Sequence, residues 1–342
     1  ASWHGTHTCF RTETSMGPSP TAPDGGEDRA MNYLVMGAGA LGSIFGGMLA
    51  KTGYPVTFVG MDDHLRTMQS NGLTITGLWG EHTIRKVSAY YGTQDLSGTY
   101  NVVLLCVKSY LTSAVIRQTL PFIRDDSLVI SIQNGLGNWE AIAREIGWNR
   151  TIGARIIFGA EIESPGRARV TVYADKVLLG SPCRALPDER LERVSQELNA
   201  SGIPTEITGD IEAALWAKVL YNCALNPLGA ILNQPYGFLL TVDELKCVLY
   251  QIICEIFDVA RAKGVRLPYA SSDEYFSVLV EKQLPPTATH RSSMLQDIEK
   301  GRPTEIDALN GAISIYGKEL HVPTPTNDLI GAIIKGLEAK NR

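Results

Sequence analysis

The spacing of apolar and polar positions changes near residue 210, and the change predicts two domains of different architecture. From Asn32 an apolar run (NYLVM) leads into a glycine-rich turn (GAGALG), an amphipathic stretch (SIFGGMLAKTG) and a second apolar run (PVTFVG), the order of one βαβ unit. Further runs of strand length lie at Leu73–Thr76, Ile84–Ala89, Val102–Val107 and Leu128–Ile132, with helical spacing at Ser109–Leu120 and Trp139–Glu145 between them. Such alternation predicts a mostly parallel sheet covered on both faces, an α/β domain over residues 31–208. Shorter β-rich segments fill Gly153 to Gly180 (ARIIFGAEI, RVTVYA, KVLLG), followed by a helix over Pro187–Asn199 and a strand near Pro204–Ile207. After Asp210 the period becomes helical, with elements expected at Ile211–Leu232, Val242–Lys263, Ser271–Glu281, Ser293–Lys300, Glu305–Leu320 and Asn327–Glu338. Residues 209–342 are therefore expected to form an all-helical domain. Residues 1–30, rich in Gly, Pro, Ser and Thr and without period, are expected to remain a disordered extension.

Two domains imply a cleft, and the charge balance limits what it takes. The 31 basic and 36 acidic residues give a net charge of −5 with no long basic run, so the footprint of a nucleic-acid binder is missing and a small molecule is favoured. No stretch is apolar for long enough to cross a bilayer. Cys9, Cys106, Cys183, Cys223, Cys247 and Cys254 form no Cys-x-x-Cys pair and mostly sit in apolar runs, which predicts a reduced cytoplasmic protein. No metal is expected. The apolar helix Val242–Ala260 is either core or the face of a homodimer.

Gly37, Ala38, Gly39, Ala40, Leu41 and Gly42 fit G-x-G-x-x-G between a predicted strand and a predicted helix, the setting that marks a Rossmann-type dinucleotide site. Gly37 permits the tight turn, Gly39 lets backbone approach a pyrophosphate, and Gly42 lets helix pack on strand. At the end of the second strand Gly60 leaves room for a 2′-phosphate, whereas Asp62 and Asp63, if turned to the ribose, would repel one and favour NAD. Lys108, just past a strand, either supplies positive charge near the phosphates or is a solvated lysine.

In the helical half Lys218, Asn222 and Asn226 recur every four positions, a stripe drifting about 40° per step on an otherwise apolar helix. Buried, such groups need partners, because an unpaired polar group costs about 1–3 kcal/mol. A ligand is one such partner, and a solvated face the alternative. Pro227 is expected to kink or end the helix and to direct Asn233 at a different angle. Ser293 with Gln296 fits a capping box, and Glu305 fits the first turn of a helix.

Taken together, GAGALG, CVKSY, IQNGLG, LWAKVLYNCALNPLGAILNQP and SSMLQDIEKGRPTEIDALNG resemble the ketopantoate reductase (2-dehydropantoate 2-reductase) family, from Met31 to about Asn327. The resemblance implies reduction of 2-dehydropantoate, a small 2-oxo acid, to D-pantoate on the way to pantothenate and coenzyme A. It implies NADPH as cofactor, with NAD as the alternative. It also assigns roles: Lys218 as catalytic acid; Asn222, Asn226, Asn233 and Ser293 as substrate-binding residues; Asn134 beside nicotinamide and substrate; and Glu305 contacting cofactor and active site. Met61 stands where members often carry an arginine for the 2′-phosphate, and His290 where some carry asparagine. A reductase of another branched 2-oxo acid would share these motifs, and a non-catalytic NAD(P)-binding redox sensor is the alternative of a different class.

Overall fold

The computed structural model describes residues 31–340, so the expectation for residues 1–30 lies outside the described residues. The run Tyr33–Met36 forms β1, and all four residues are buried, as befits a strand with helices on both faces. There follow α1 (Ala40–Lys51), β2 (Val56–Gly60), α2 (Asp63–Asn71), β3 (Leu73–Gly77), β4 (His82–Ile84), β5 (Ser88–Tyr91) and β6 (Tyr100–Leu105). The α/β half continues with α3 (Thr112–Thr119), β7 (Ile123–Ser131), α4 (Asn138–Ile146), β8 (Thr151–Arg155), β9 (Phe158–Ser164), β10 (Arg167–Tyr173), β11 (Val177–Gly180), α5 (Asp188–Ala200) and β12 (Thr205–Ile207).

Eight strands form one sheet in the order β12-β11-β8-β7-β6-β1-β2-β5, parallel except where β11 meets β8. β1 has β2 on one side and β6 on the other, so the strand order reverses there and opens a crevice at the carboxyl ends of β1 and β6. A second, four-stranded sheet, β4-β3-β10-β9, was not expected. The run Ile84–Ala89 is divided between the sheets: Ile84 pairs with Leu73, while Ala89 pairs with Phe58. Helix α2 was also missed, because it buries only His64, Leu65 and Met68, too few positions to show a period.

The helical half comprises α6 (Ile211–Leu232), α7 (Asp243–Lys263), α8 (Ser272–Val278), α9 (Ser293–Glu299), α10 (Asn310–Leu320) and α11 (Pro325–Lys340). Its core includes Leu249, Ile252, Ile253, Ile256, Phe257, Val259 and Ala260 of α7, which makes that helix core. Leu136 and Trp139 from the α/β half join the same cluster and fasten the two halves together. Among the described residues no helix is long and apolar enough to cross a membrane. Among the described residues Cys106, Cys223, Cys247 and Cys254 are free thiols, and Cys183 lies in an exposed positive-φ turn rather than an apolar run.

Pro227 does not end α6 as expected; the helix runs on to Leu232. A proline there cannot donate to the carbonyl of Cys223, and Asn310 Nδ2 donates to it instead at 3.2 Å. The same amide nitrogen also donates to Asn327 Oδ1 at 3.0 Å, and Asn327 is held by Glu255. Asn310→Leu leaves two buried acceptors without a donor. It is expected to cost about 1–3 kcal/mol, read as a lower urea midpoint with an unchanged slope.

Candidate active site

The glycine-rich turn is shaped by steric demands of two kinds. Gly37 has φ +102°, and a Cβ there would sit 2.8 Å from a Val107 methyl; a Cβ on Gly42 would meet the Gly37 carbonyl oxygen at 2.1 Å. Both glycines are required by the protein itself. Gly39 differs, for a Cβ there would meet no protein atom within 4 Å. It caps α1, whose first N–H groups receive no side-chain cap, so the open space it preserves faces a bare helix N-terminus. Ala38, Ala40 and Leu41 complete the turn. An open cradle of unpaired N–H groups at the strand-order reversal fits a dinucleotide pyrophosphate.

At the far end of β2, Asp62 accepts from the Leu65 N–H at 3.0 Å as the cap of α2, and is committed to that bond. Asp63 points outward, 3.9 Å from Arg66, and Met61 is exposed. Arg66 places its guanidinium over the Tyr91 ring at 4.7 Å, and Tyr91 pairs in register with Gly60. Arg66 thus supplies a cation at the strand end where Met61 supplies none. The sequence hid it, since it follows the strand by six positions on a helix that showed no period.

Across the crevice the polar residues form one connected chain. Lys218 Nζ donates to Asn134 Oδ1 at 2.6 Å, and Asn134 Nδ2 donates to Glu305 Oε2 at 3.5 Å. The other Glu305 oxygen accepts from the Ser109 N–H at 3.0 Å. Asn134 is held in turn: its carbonyl accepts from Asn138 Nδ2 at 2.9 Å, and Leu136 N–H donates to Ala308 O at 2.7 Å. Gly135, at φ +83°, lies so close to Ala308 that a Cβ would come within 2.4 Å of its carbonyl oxygen. The Asn134 loop and the Glu305 turn are therefore fitted to one another. Glu305 is not in a helical first turn, as the sequence suggested. A short 3-10 turn at Ile306–Ala308 and a break at Leu309 separate it from α10 and leave its carboxylate in the cleft.

Lys108 is half-buried and paired. Its ammonium lies 2.5 Å from Asp297 Oδ2 and 3.9 Å from Glu305 Oε2, a tie between the end of β6 and α9. Burial works to lower its pKa, but Glu305 and Asp297 outweigh burial and raise it. Lys218 is shifted the opposite way. Enclosure by protein lowers its pKa to about 8, against the pull of Glu305 and with the help of the Arg155 charge.

Asn134, Asn226, Ser293, Asp297 and Glu305 line a cleft together with the apolar side chains of Met294 and Leu309. Asn226 is buried, and its side-chain oxygen accepts from the Tyr236 hydroxyl, a partner that the sequence reading missed because an aromatic after a helix reads as core. Asp297 was missed too, although it lies one helical turn beyond Ser293. Asn222 is half-buried and makes no side-chain hydrogen bond among the described residues. Asn233 is not brought into this lining. Because α6 continues past Pro227, Asn233 becomes its exposed left-handed cap, bonded to Arg291.

The capping box is displaced by one residue. Ser292, not Ser293, caps α9, accepting from the Leu295 N–H at 3.0 Å and donating to the Asn226 carbonyl at 3.2 Å. Ser293 is left free to face the cleft. The pair therefore separates fold from function: Ser292→Ala is expected to lose about 1 kcal/mol of stability. Ser293→Ala should keep stability and raise the substrate KM, as paired melting and kinetic measurements would show.

Residues 33–182 match the profile of "Ketopantoate reductase PanE/ApbA", and residues 210–338 match "Ketopantoate reductase PanE/ApbA C terminal". The chain belongs to the ketopantoate reductase family. It is 36% identical over 311 residues to a 2-dehydropantoate 2-reductase of Aquifex aeolicus, covering 91% of this chain and 98% of that one. A 2-dehydropantoate 2-reductase of Pyrococcus horikoshii is 33% identical, with 90% and 98% covered. Among solved structures, a PanE/ApbA family ketopantoate reductase from Ralstonia eutropha superposes with a TM-score of 0.82 at 30% identity, over 91% of this chain and 99% of that one. Both family segments are present in this chain, in order.

Proposed function

We propose that this protein reduces 2-dehydropantoate to D-pantoate with NADPH, a step toward pantothenate and coenzyme A. The observation that carries the reading is the Lys218–Asn134–Glu305 chain, set in a cleft that Asn226 and Ser293 also line, beside an open dinucleotide cradle. When bound, the nicotinamide supplies the hydride for the keto carbon. The protein's own residues supply the rest. Lys218 holds its proton at neutral pH, because its pKa of about 8 still lies above 7, and it donates that proton as the oxygen becomes an alkoxide. Asn134 holds Nζ in place and Glu305 holds Asn134, so the acid is aimed before substrate arrives. The amide hydrogens of Asn226, the hydroxyl of Ser293 and the side chain of Asn222, none of them donating a hydrogen bond among the described residues, are donors for the substrate oxygens.

Steady-state turnover of 2-dehydropantoate against 2-oxoisovalerate, each with NADPH and NADH, tests the reading. Only the former carries a terminal hydroxyl for an asparagine to recognise. Equal kcat/KM for the two acids would overturn the choice of substrate. The cofactor preference rests on Arg66, whose guanidinium lies over the ring of Tyr91, the strand partner of Gly60. Arg66→Glu is expected to lower kcat/KM with NADPH by about tenfold or more, and with NADH hardly at all, since only the former carries a 2′-phosphate.

A further inference from the structure

Arg155 closes β8 and is buried, with only 6% of its side chain exposed. It follows Gly153 by two positions and so shares its face of the sheet; on that face Gly153 abuts Trp139, and β8 packs against α6, the helix of Lys218. β8 lies parallel to β7, with Gly153 opposite Ser131, so Arg155 and the Asn134 loop leave the sheet at the same carboxyl edge. The guanidinium has one protein partner, Asp175, which takes Nη2 at 2.9 Å from the solvent side, its own side chain 56% exposed. Among the described residues no other Arg155 N–H meets an acceptor, and the unpaired nitrogens are not sealed away from solvent.

The nearby charges leave a gap. Lys108 takes Asp297, Glu305 is engaged by Ser109 and Asn134, and the Asp175 carboxylate lies toward solvent. Two cations, Lys218 and Arg155, then stand near enough for the charge of one to disfavour protonation of the other, against the pull of Glu305, whose two carboxylate oxygens are engaged by Ser109 and Asn134. A 2-oxo acid carries a carboxylate bonded directly to the carbon that Lys218 serves. A planar guanidinium with open donors matches a carboxylate in bidentate fashion. We propose that Arg155 binds the carboxylate of the 2-oxo acid, clamping the substrate between β8 of the α/β half and Lys218 of the helical half. This rests on the reductase reading above. It makes Arg155 a specificity residue that selects 2-oxo acids over neutral ketones and 2-oxo amides.

The test is steady-state kinetics of R155Q and R155K with 2-dehydropantoate, alongside calorimetric binding of oxalate, a dianion that cannot be reduced. R155Q is expected to raise the substrate KM by about tenfold to a hundredfold with the cofactor KM little changed. It should also move the alkaline limb of kcat/KM upward, because a positive charge beside Lys218 has gone; a merely structural arginine would leave that limb in place. R155K keeps the charge but loses the fork, and should raise KM by a smaller factor; it carries the test should R155Q fail to fold. Unchanged KM in a folded variant overturns the proposal. Should the unmodified enzyme turn over no 2-oxo acid, the functional reading fails, and Arg155 is judged on oxalate: about tenfold weaker binding in the variant supports the anion site, and equal binding removes it.

Discussion

Lys218→Ala is expected to lower kcat by roughly 10²–10⁴-fold, the range for loss of a positioned general acid, while the affinity for reduced dinucleotide stays close to that of the unmodified enzyme. The asymmetry follows from geometry. Lys218 bonds to Asn134, on the wall proposed to face the substrate, whereas the cradle is built from backbone around Gly37 to Gly42. The pH dependence has a defined sign. Burial holds the Lys218 pKa down at about 8, so the proton-bearing form prevails below that pH and turnover declines as pH rises through it. A lysine in water would keep its proton to about 10.4. Turnover that stayed flat to pH 10, or a normal kcat in the alanine variant, would remove Lys218 from the acid role.

Gly39→Ala is expected to weaken dinucleotide binding by about tenfold or more with little change in urea midpoint. The added methyl meets no protein atom within 4 Å and projects into the space in front of the α1 N-terminus. Gly42→Ala provides the contrast. Its methyl would press on the Gly37 carbonyl at 2.1 Å, so the strand and helix must separate, and stability should fall by about 1–3 kcal/mol together with binding. Calorimetric titration with NADPH and urea unfolding of the two variants distinguish a glycine kept for the ligand from a glycine kept for the fold. Loss of stability in Gly39→Ala comparable to that in Gly42→Ala would erase the distinction.

Some of the site could be read without coordinates because it is local. Gly37 to Gly42 lie in one turn, and Lys218, Asn222 and Asn226 fall on one stripe because helical neighbours repeat every four residues. The limits of α6 were read correctly for the same reason. Where a local rule met a distant partner, it failed. A proline is expected to kink or end a helix, yet α6 runs on past Pro227 to Leu232, and Asn310, 87 residues beyond Cys223, supplies the missing donor. Ser292 and Ser293 differ in role because the Asn226 carbonyl is within reach of only the first.

Periodicity and the spacing of the glycines therefore determined the two-part architecture, the glycine-rich turn and the helix that carries Lys218, since each depends on neighbours a few residues apart. Tertiary structure alone decided which groups face one another: Lys218 with Asn134 across 84 residues, Lys108 with Asp297 across 189, and Arg155 with Asp175. The physical reason is that backbone period records which face a side chain occupies. The charge state of Lys218 and the open edge of Arg155 are instead set by burial and by the partners that chain closure brings together.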